Sequence, residues 1–287
     1  MSVGKGPCWV KKKKYTNQTV ILISFLISVV SILPMFFFRD KLYGDDIVFH
    51  INRLLSLDTV WKSPINFTTN GGTGQLINTF YPWLTYYPIF IIYKLTQSVF
   101  VAWMSFQFLV RFVTCLLSFY GLRLLNYSDK QVMIFSTFYL FSGYFLHNSY
   151  YRAAVGETLA MIFLPLVFVG VRLITFGDYK KWWILTLGML GLVYSHVLSV
   201  LLASVGIFFA VATSFWIWDN KKERVLGFLK ATLVTLSMSL AFFVPMIEES
   251  YFALGIADAN DPSCKTDFIH RKDCLKSGRQ LGVDSKK

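Results

Sequence analysis

The stretch at residues 44–55, GDDIVFHINRLL, sets two aspartates, a histidine and an arginine close together. Gly44 breaks the segment before it. Asp45 suits a helix N-cap, because its carboxylate can accept from the open amides of the first turn. At 100° per residue, Asp46, His50, Arg53 and Leu57 fall within about 40° of one direction, while Ile47, Phe49, Ile51, Leu54 and Leu55 mostly take the other faces. The spacing predicts a helix at the membrane surface with a polar stripe turned to an aqueous cavity. A carboxylate and an imidazole one turn apart can hold a divalent cation, Mg2+ or Mn2+, through Asp46 and His50, or act as a base and its orienting partner. Arg53 would grip a phosphate oxygen. A plainer arrangement has Asp45 as a cap, Asp46 paired with Arg53 or complementing the helix dipole, and His50 against lipid head groups.

Further polar groups interrupt apolar surroundings. Arg111 lies near the middle of a long apolar run, where an unpaired charge costs at least about 2.5 kcal/mol, so it must face a cavity or serve as a hub for helix carbonyls. Arg152 and Glu157 sit in HNSYYRAAVGE, residues 147–157, at the start of another run, where Glu157 also suits the positive end of a helix dipole. His196 marks a turn in the apolar stretch 182–218, and Glu248 and Glu249 follow Pro245. These three residues are weaker candidates, since a lone turn histidine is usually structural and the two glutamates suit the membrane interface.

The elements that must position these groups are membrane helices. Of 287 residues, 55% are hydrophobic and only 15% charged, and the mean hydropathy is +0.51. Apolar runs long enough to cross about 30 Å of hydrocarbon recur, and period-two alternation is absent, so an all-α polytopic bundle is expected. About seven spans are predicted, at residues 20–38, 99–122, 131–147, 158–174, 181–195, 197–218 and 225–244. Residues 81–95, YPWLTYYPIFIIYKL, are short and carry two prolines and many aromatics, which fits an interfacial or re-entrant segment.

The net charge of +12 does not indicate nucleic acid, because the Lys and Arg residues cluster between apolar runs. With residues 81–95 not crossing, the basic loops carrying Arg123 and Lys130, Arg172, Lys180 and Lys181, and Lys221, Lys222 and Arg224 all face the cytoplasm. The Lys11–Lys14 cluster places the N-terminus there too, ahead of an uncleaved first helix. The chain then divides into a basic N-terminus (1–18), a transmembrane domain (19–250) with a large external loop (39–98), and a polar tail (251–287) expected to have little order. With such a tail the chain reads as the front portion of a longer protein, or as one with a shifted reading frame. Cys8, Cys115, Cys264 and Cys274 lack zinc spacing, though Cys264 and Cys274 would bridge if the tail were extracellular. Asn66 and Asn126 begin acceptor-like N-x-S/T triplets, Asn126 on the cytoplasmic side. The remaining polar groups then share the external face.

In order, GDDIVFHINRLLSL, YPWLTYYP, YYRAAVGETLAMIFLPLVF and YSHVLS resemble bacterial multi-pass proteins of the YfhO-like group with GT-C glycosyltransferase architecture, some labelled as pyruvoyl-tetrahydropterin synthase related. The resemblance covers residues 15–250. It implies a cell-envelope transferase that takes sugar from a polyprenyl-phosphate donor. Asp45 or Asp46 would be its base or metal ligand, and Glu157 the acidic residue of a second external loop. On that reading Asp46 with His50 activates an acceptor hydroxyl, and Arg53, Arg111 or Arg152 neutralises the lipid phosphate. The family's usual second-loop aspartate is replaced here by an Arg and Glu pattern. A transporter or flippase of a lipid-linked glycan would use the same cavity for binding alone, and an inactive truncated membrane protein would use it for nothing.

Overall fold

The computed structural model describes residues 14–37, 42–62 and 76–258, with side chains up to residue 250. Among the described residues the regular structure is helical: α1 (Asn17–Phe36), α2 (Ile47–Ser56), α3 (Ile77–Phe80), α4 (Tyr87–Thr96), α5 (Val99–Arg123), α6 (Asp129–Leu140), α7 (Gly143–Leu146), α8 (Val155–Phe176), α9 (Trp183–Val193), α10 (Val197–Ser214) and α11 (Lys221–Asp258). A π-turn, His147–Arg152, joins α7 to α8. Helix starts follow local chemistry. Thr16 and Ser98 cap α1 and α5, and Ser128 and Gln131 form a reciprocal capping box on α6.

Among the described residues, five helices are long and apolar enough to cross a membrane: α1, α5, α8, α10 and the part of α11 from Lys221 to Ser250. Two of the seven expected spans take another form. The run at 131–147 stops at Leu140 and restarts as α7, because Ser142 leaves the helix and caps the next one. The run at 181–195 holds only the 11-residue α9. Residues 81–95 contain no helix longer than the 10-residue α4, with Pro88 in its first turn, where the missing amide costs nothing.

The chain divides into two compact units, residues 1–242 and 243–287. In the first, α5 and α8 form the centre, with α1, α4 and α6 against α5 and α9 against α8. One end of this unit gathers the basic loops. Arg123 binds Asp129 through Nε at 3.0 Å and Nη2 at 2.6 Å, and donates to the Tyr15 carbonyl at 3.1 Å. Arg224 donates to the Ile174 carbonyl at 2.7 Å, and the α5–α6 and α8–α9 loops line one depression that includes Asn126, Arg172 and Lys181. The groups singled out in the external loops, Asp46, Arg152, Glu157 and His196, lie at the opposite end. In the second unit α11 continues to Asp258. The other expected features of the tail, with Cys264 and Cys274, lie outside the described residues, as do Cys8 and Asn66.

Helix α9 runs antiparallel against α8 over glycines. A Cβ on Gly170 would sit 2.5 Å from the Leu185 backbone, and one on Gly188 2.7 Å from Val167 N. Small residues here let the backbones approach closely, the usual device of helix pairs in lipid. Gly170→Leu is expected to lower the thermal unfolding midpoint of the detergent-solubilised protein by the equivalent of about 1–3 kcal/mol. Gly206→Leu on α10, where a Cβ meets nothing within 4 Å, should leave the midpoint unchanged.

Candidate functional site

Two separate segments build the site, residues 43–46 and the π-turn. Gly44 has φ +144°, and a Cβ there would lie 2.3 Å from the Ala153 Cβ. Ala153 itself takes the left-handed conformation at φ 55°, at a cost of about 1–2 kcal/mol for a residue with a Cβ. The crossing lets Asp45 N donate to the Tyr151 carbonyl at 3.2 Å and Asp46 N to the Arg152 carbonyl at 2.8 Å. Asp46 and Arg152 thereby face each other, Oδ2 to Nη2, at 3.9 Å.

Arg152 then reaches Glu157, Nη1 to Oε1, at 2.9 Å, and Tyr144 donates its hydroxyl to the other Glu157 oxygen at 2.5 Å. The Glu157 hydrogen bond comes first among the causes that raise the Arg152 pKa, with Asp46 adding to it. His196 sits against the same helix start: a Cβ on Gly156 would lie 3.1 Å from its ring. Burial lowers the His196 pKa, opposed by Glu157 and reinforced by Arg152. The structure thus brings together Asp46, Arg152, Glu157 and His196, with Asp45 exposed beside them.

Five predicted site residues lie elsewhere or in another role. Asp45 does not cap α2: the cap position belongs to Asp46, whose side chain makes no cap bond and turns toward Arg152 instead. The expected polar stripe is not turned to water. His50 is 4% exposed, Arg53 2% and Leu57 0%, because the 81–87 segment and the start of α8 cover them. The Arg53 guanidinium donates to the Pro82 carbonyl at 2.9 Å and packs on the rings of Phe49, Tyr81 and Tyr86. Burial lowers its pKa to about 10, against the raising effect of Tyr86 and Tyr81. Arg111 is likewise 0% exposed and serves as a hub, donating to Ser31 Oγ at 2.9 Å and to the Gln107 carbonyl and side chain at 2.9 and 2.6 Å. Glu248 is exposed on α11 in the second unit.

His50 is an internal strut. Its Nδ1 meets Arg53 Nη1 at 3.3 Å, and its Nε2 accepts from Val155 N, at the start of α8, also at 3.3 Å. Burial first, and then Arg53, hold its pKa well below the usual imidazole value. Sequence reasoning missed Tyr144 and the segment around Thr85, which donates to the Tyr194 carbonyl at 2.5 Å and ties 81–87 to the turn before His196. Only the aromatic density of that segment hinted at such a role.

A divalent cation does not fit this arrangement. The Arg152 guanidinium lies between the two carboxylates, and no group of three His, Cys, Asp or Glu side chains suited to a metal occurs among the described residues. Beside the ionic cluster lies a cavity of about 370 Å3 between the ends of α1 and α5 and the π-turn.

No protein-family model matches the chain, and no solved structure matches it. It is 25% identical over 251 residues to an "Uncharacterized protein" of Lactococcus lactis subsp. cremoris (strain MG1363), covering 82% of this chain and 40% of that protein. The chain therefore spans about two fifths of the relative's length.

Two expectations follow from the geometry. Gly44→Ala should destabilise the protein by at least about 2 kcal/mol, combining backbone strain with a clash, and Ala153→Gly in the same chain should recover part of the loss. Thermal unfolding of the two variants measures both. For His50 the sign is set by a folded pKa below the unfolded value of about 6.5: the unfolded chain binds more protons, so stability falls as pH drops below about 6.5. Unfolding midpoints between pH 5 and 8 should show that decline, and His50→Gln should reduce its slope, leaving the part carried by His196.

Proposed function

We propose that this chain is a membrane-embedded glycosyltransferase-like protein of GT-C type, which moves a sugar from a polyprenyl-phosphate donor on the extracytoplasmic side. The observation that carries the reading is the convergence of Asp46, Arg152 and Glu157 at the end of the bundle opposite the basic loops. With those loops and the Lys11–Lys14 cluster in the cytoplasm, the cluster faces outward. A donor of this kind keeps its isoprenoid chain in lipid while its head reaches the cluster.

The buried positions narrow the roles. Arg53 and Arg111 are enclosed by protein, which leaves Arg152, 38% exposed at its side chain, to meet the phosphate. Asp46, 45% exposed at its side chain, takes the proton of an acceptor hydroxyl as that oxygen attacks the anomeric carbon. The bond from that carbon to the phosphate oxygen breaks, and the departing negative charge is met by Arg152. Glu157 and Tyr144 hold Arg152 in place, and His50 positions α2 against α8. No step runs through a metal.

Membranes containing this chain are expected to move label from a radiolabelled polyprenyl-phosphate sugar to an acceptor. Asp46→Asn should lower transfer by about 10²–10⁴-fold and Arg152→Gln by about 10²–10³-fold, at unchanged membrane abundance. Transfer that survives Asp46→Asn would remove the assignment.

A further inference from the structure

The cavity beside the ionic cluster has walls of unlike chemistry. Met35 closes it from α1 and Phe100, Trp103 and Met104 from α5, while Ser149 and Tyr150 enter from the π-turn. The apolar walls suit a hydrocarbon chain. Its volume, about 370 Å3, is near the lower end for ligand cavities, room for one chain and not a pair.

Its polar wall is unfinished. Ser149 is 2% exposed, and its Oγ is buried without a hydrogen-bond partner. A hydroxyl left this way costs about 1–3 kcal/mol, a penalty that a ligand oxygen would remove. Tyr150 does not pair with Ser149: its hydroxyl donates to the Ser31 carbonyl, its ring faces the Arg111 guanidinium at 5.4 Å, and Ser149 Oγ is left without a partner. The wall shares its two segments with the cluster. Ser149 and Tyr150 precede Arg152 in the same π-turn, and Tyr43, another lining residue, precedes the Gly44 crossing and Asp46.

We propose that this cavity seats the chain of a single-chain phosphate amphiphile, one of whose head-group oxygens pairs with Ser149 Oγ while Arg152 meets its charge. The placement rests on the transferase reading, in which a chain-borne phosphate reaches Arg152, and it specifies where the head-proximal part of that chain lies. The shared chemistry, one apolar chain ending in phosphate, belongs equally to branched isoprenoid and straight alkyl phosphates.

The test is photo-crosslinking of the full chain in nanodiscs, with labelled peptides mapped by mass spectrometry. The probes are diazirine-bearing farnesyl phosphate, dodecyl phosphate, dodecanol and a two-chain phosphatidylglycerol. Either single-chain phosphate, or both, should label peptides containing residues 100–104 and 149–150, and their ratio identifies the chain type. Ser149→Ala should cut that labelling about fivefold and Arg152→Gln about tenfold. Met104→Trp, which fills the cavity, should abolish it, and Ser149→Ala keeps the test decisive if that variant fails to fold. Equal labelling by dodecanol or by phosphatidylglycerol overturns the proposal, as does labelling that Ser149→Ala leaves unchanged. Cavity labelling without any sugar transfer retains this site and removes the transferase reading. Transfer without cavity labelling does the reverse.

Discussion

The candidate site depends on one crossing of backbone over backbone, at Gly44 and Ala153. No side chain larger than hydrogen fits at residue 44, since even a methyl group would stand 2.3 Å from the Ala153 Cβ. Ala153 accepts a left-handed conformation that alanine ordinarily avoids. What holds the strained pair together is the two hydrogen bonds that the Asp45 and Asp46 amides donate to the carbonyls of Tyr151 and Arg152. Without that approach Asp46 and Arg152, more than a hundred residues apart in sequence, would have no common location. Strain of this kind persists where surrounding structure over-determines it, and it clusters at ligand sites.

The crossing in turn needs rigid supports, and buried arginines supply two of them. Neither Arg53 nor Arg111 is paired with a carboxylate among the described residues. Each is held by neutral oxygens and aromatic faces: the Pro82 carbonyl with Tyr81 and Tyr86 for Arg53, and Ser31, Gln107, Phe145 and Tyr150 for Arg111. A guanidinium satisfied this way fixes the spacing of the segments it bridges, because its donors form a planar fork. Arg53 locks α2 to the 81–87 segment and Arg111 locks α5 to α1. Arg152 differs from both in keeping two carboxylates and contact with solvent.

Much of this was legible in the sequence. Helix identity followed from apolar run length, and the gathering of Arg123, Arg172, Lys181 and Arg224 at one end agrees with the clustering of basic residues between runs. The turn between α9 and α10 was legible at His196, whereas the break after Leu140 was not, since the run from 131 to 147 stays mostly apolar through it. The exposure of α2 was misjudged for a specific reason. A helical wheel shows which residues share a direction, but not what packs on it, and the cover came from Pro82 and Tyr86, some 30 residues downstream. Arg111 illustrates the same limit: both of its readings were in view, and only the distance to Ser31, 80 residues away, chooses the hub. Glycines were visible but mute, because Gly170 and Gly188 acquire meaning only against Leu185 and Val167.

His50 shows how the supports and the site are coupled. A neutral imidazole has one donor and one acceptor nitrogen, yet both ring nitrogens here face donors, the Arg53 guanidinium and the Val155 amide, each at 3.3 Å. Whichever nitrogen carries the proton, one of the two contacts is unfavourable, and both distances exceed the usual range for a strong hydrogen bond. Protonation makes both unfavourable together, which matches the low pKa that burial and Arg53 impose. Residue 50 is therefore an acceptor shared between the end of α2 and the first amide of α8. Arg53 lies on the same helix as His50, so the Nε2 contact is the one that ties α2 to α8, and both segments carry the site, α2 beginning beside Asp46 and α8 carrying Glu157. A change at His50 consequently acts on Asp46 and Arg152 through their backbones, with no contact between the imidazole and any substrate.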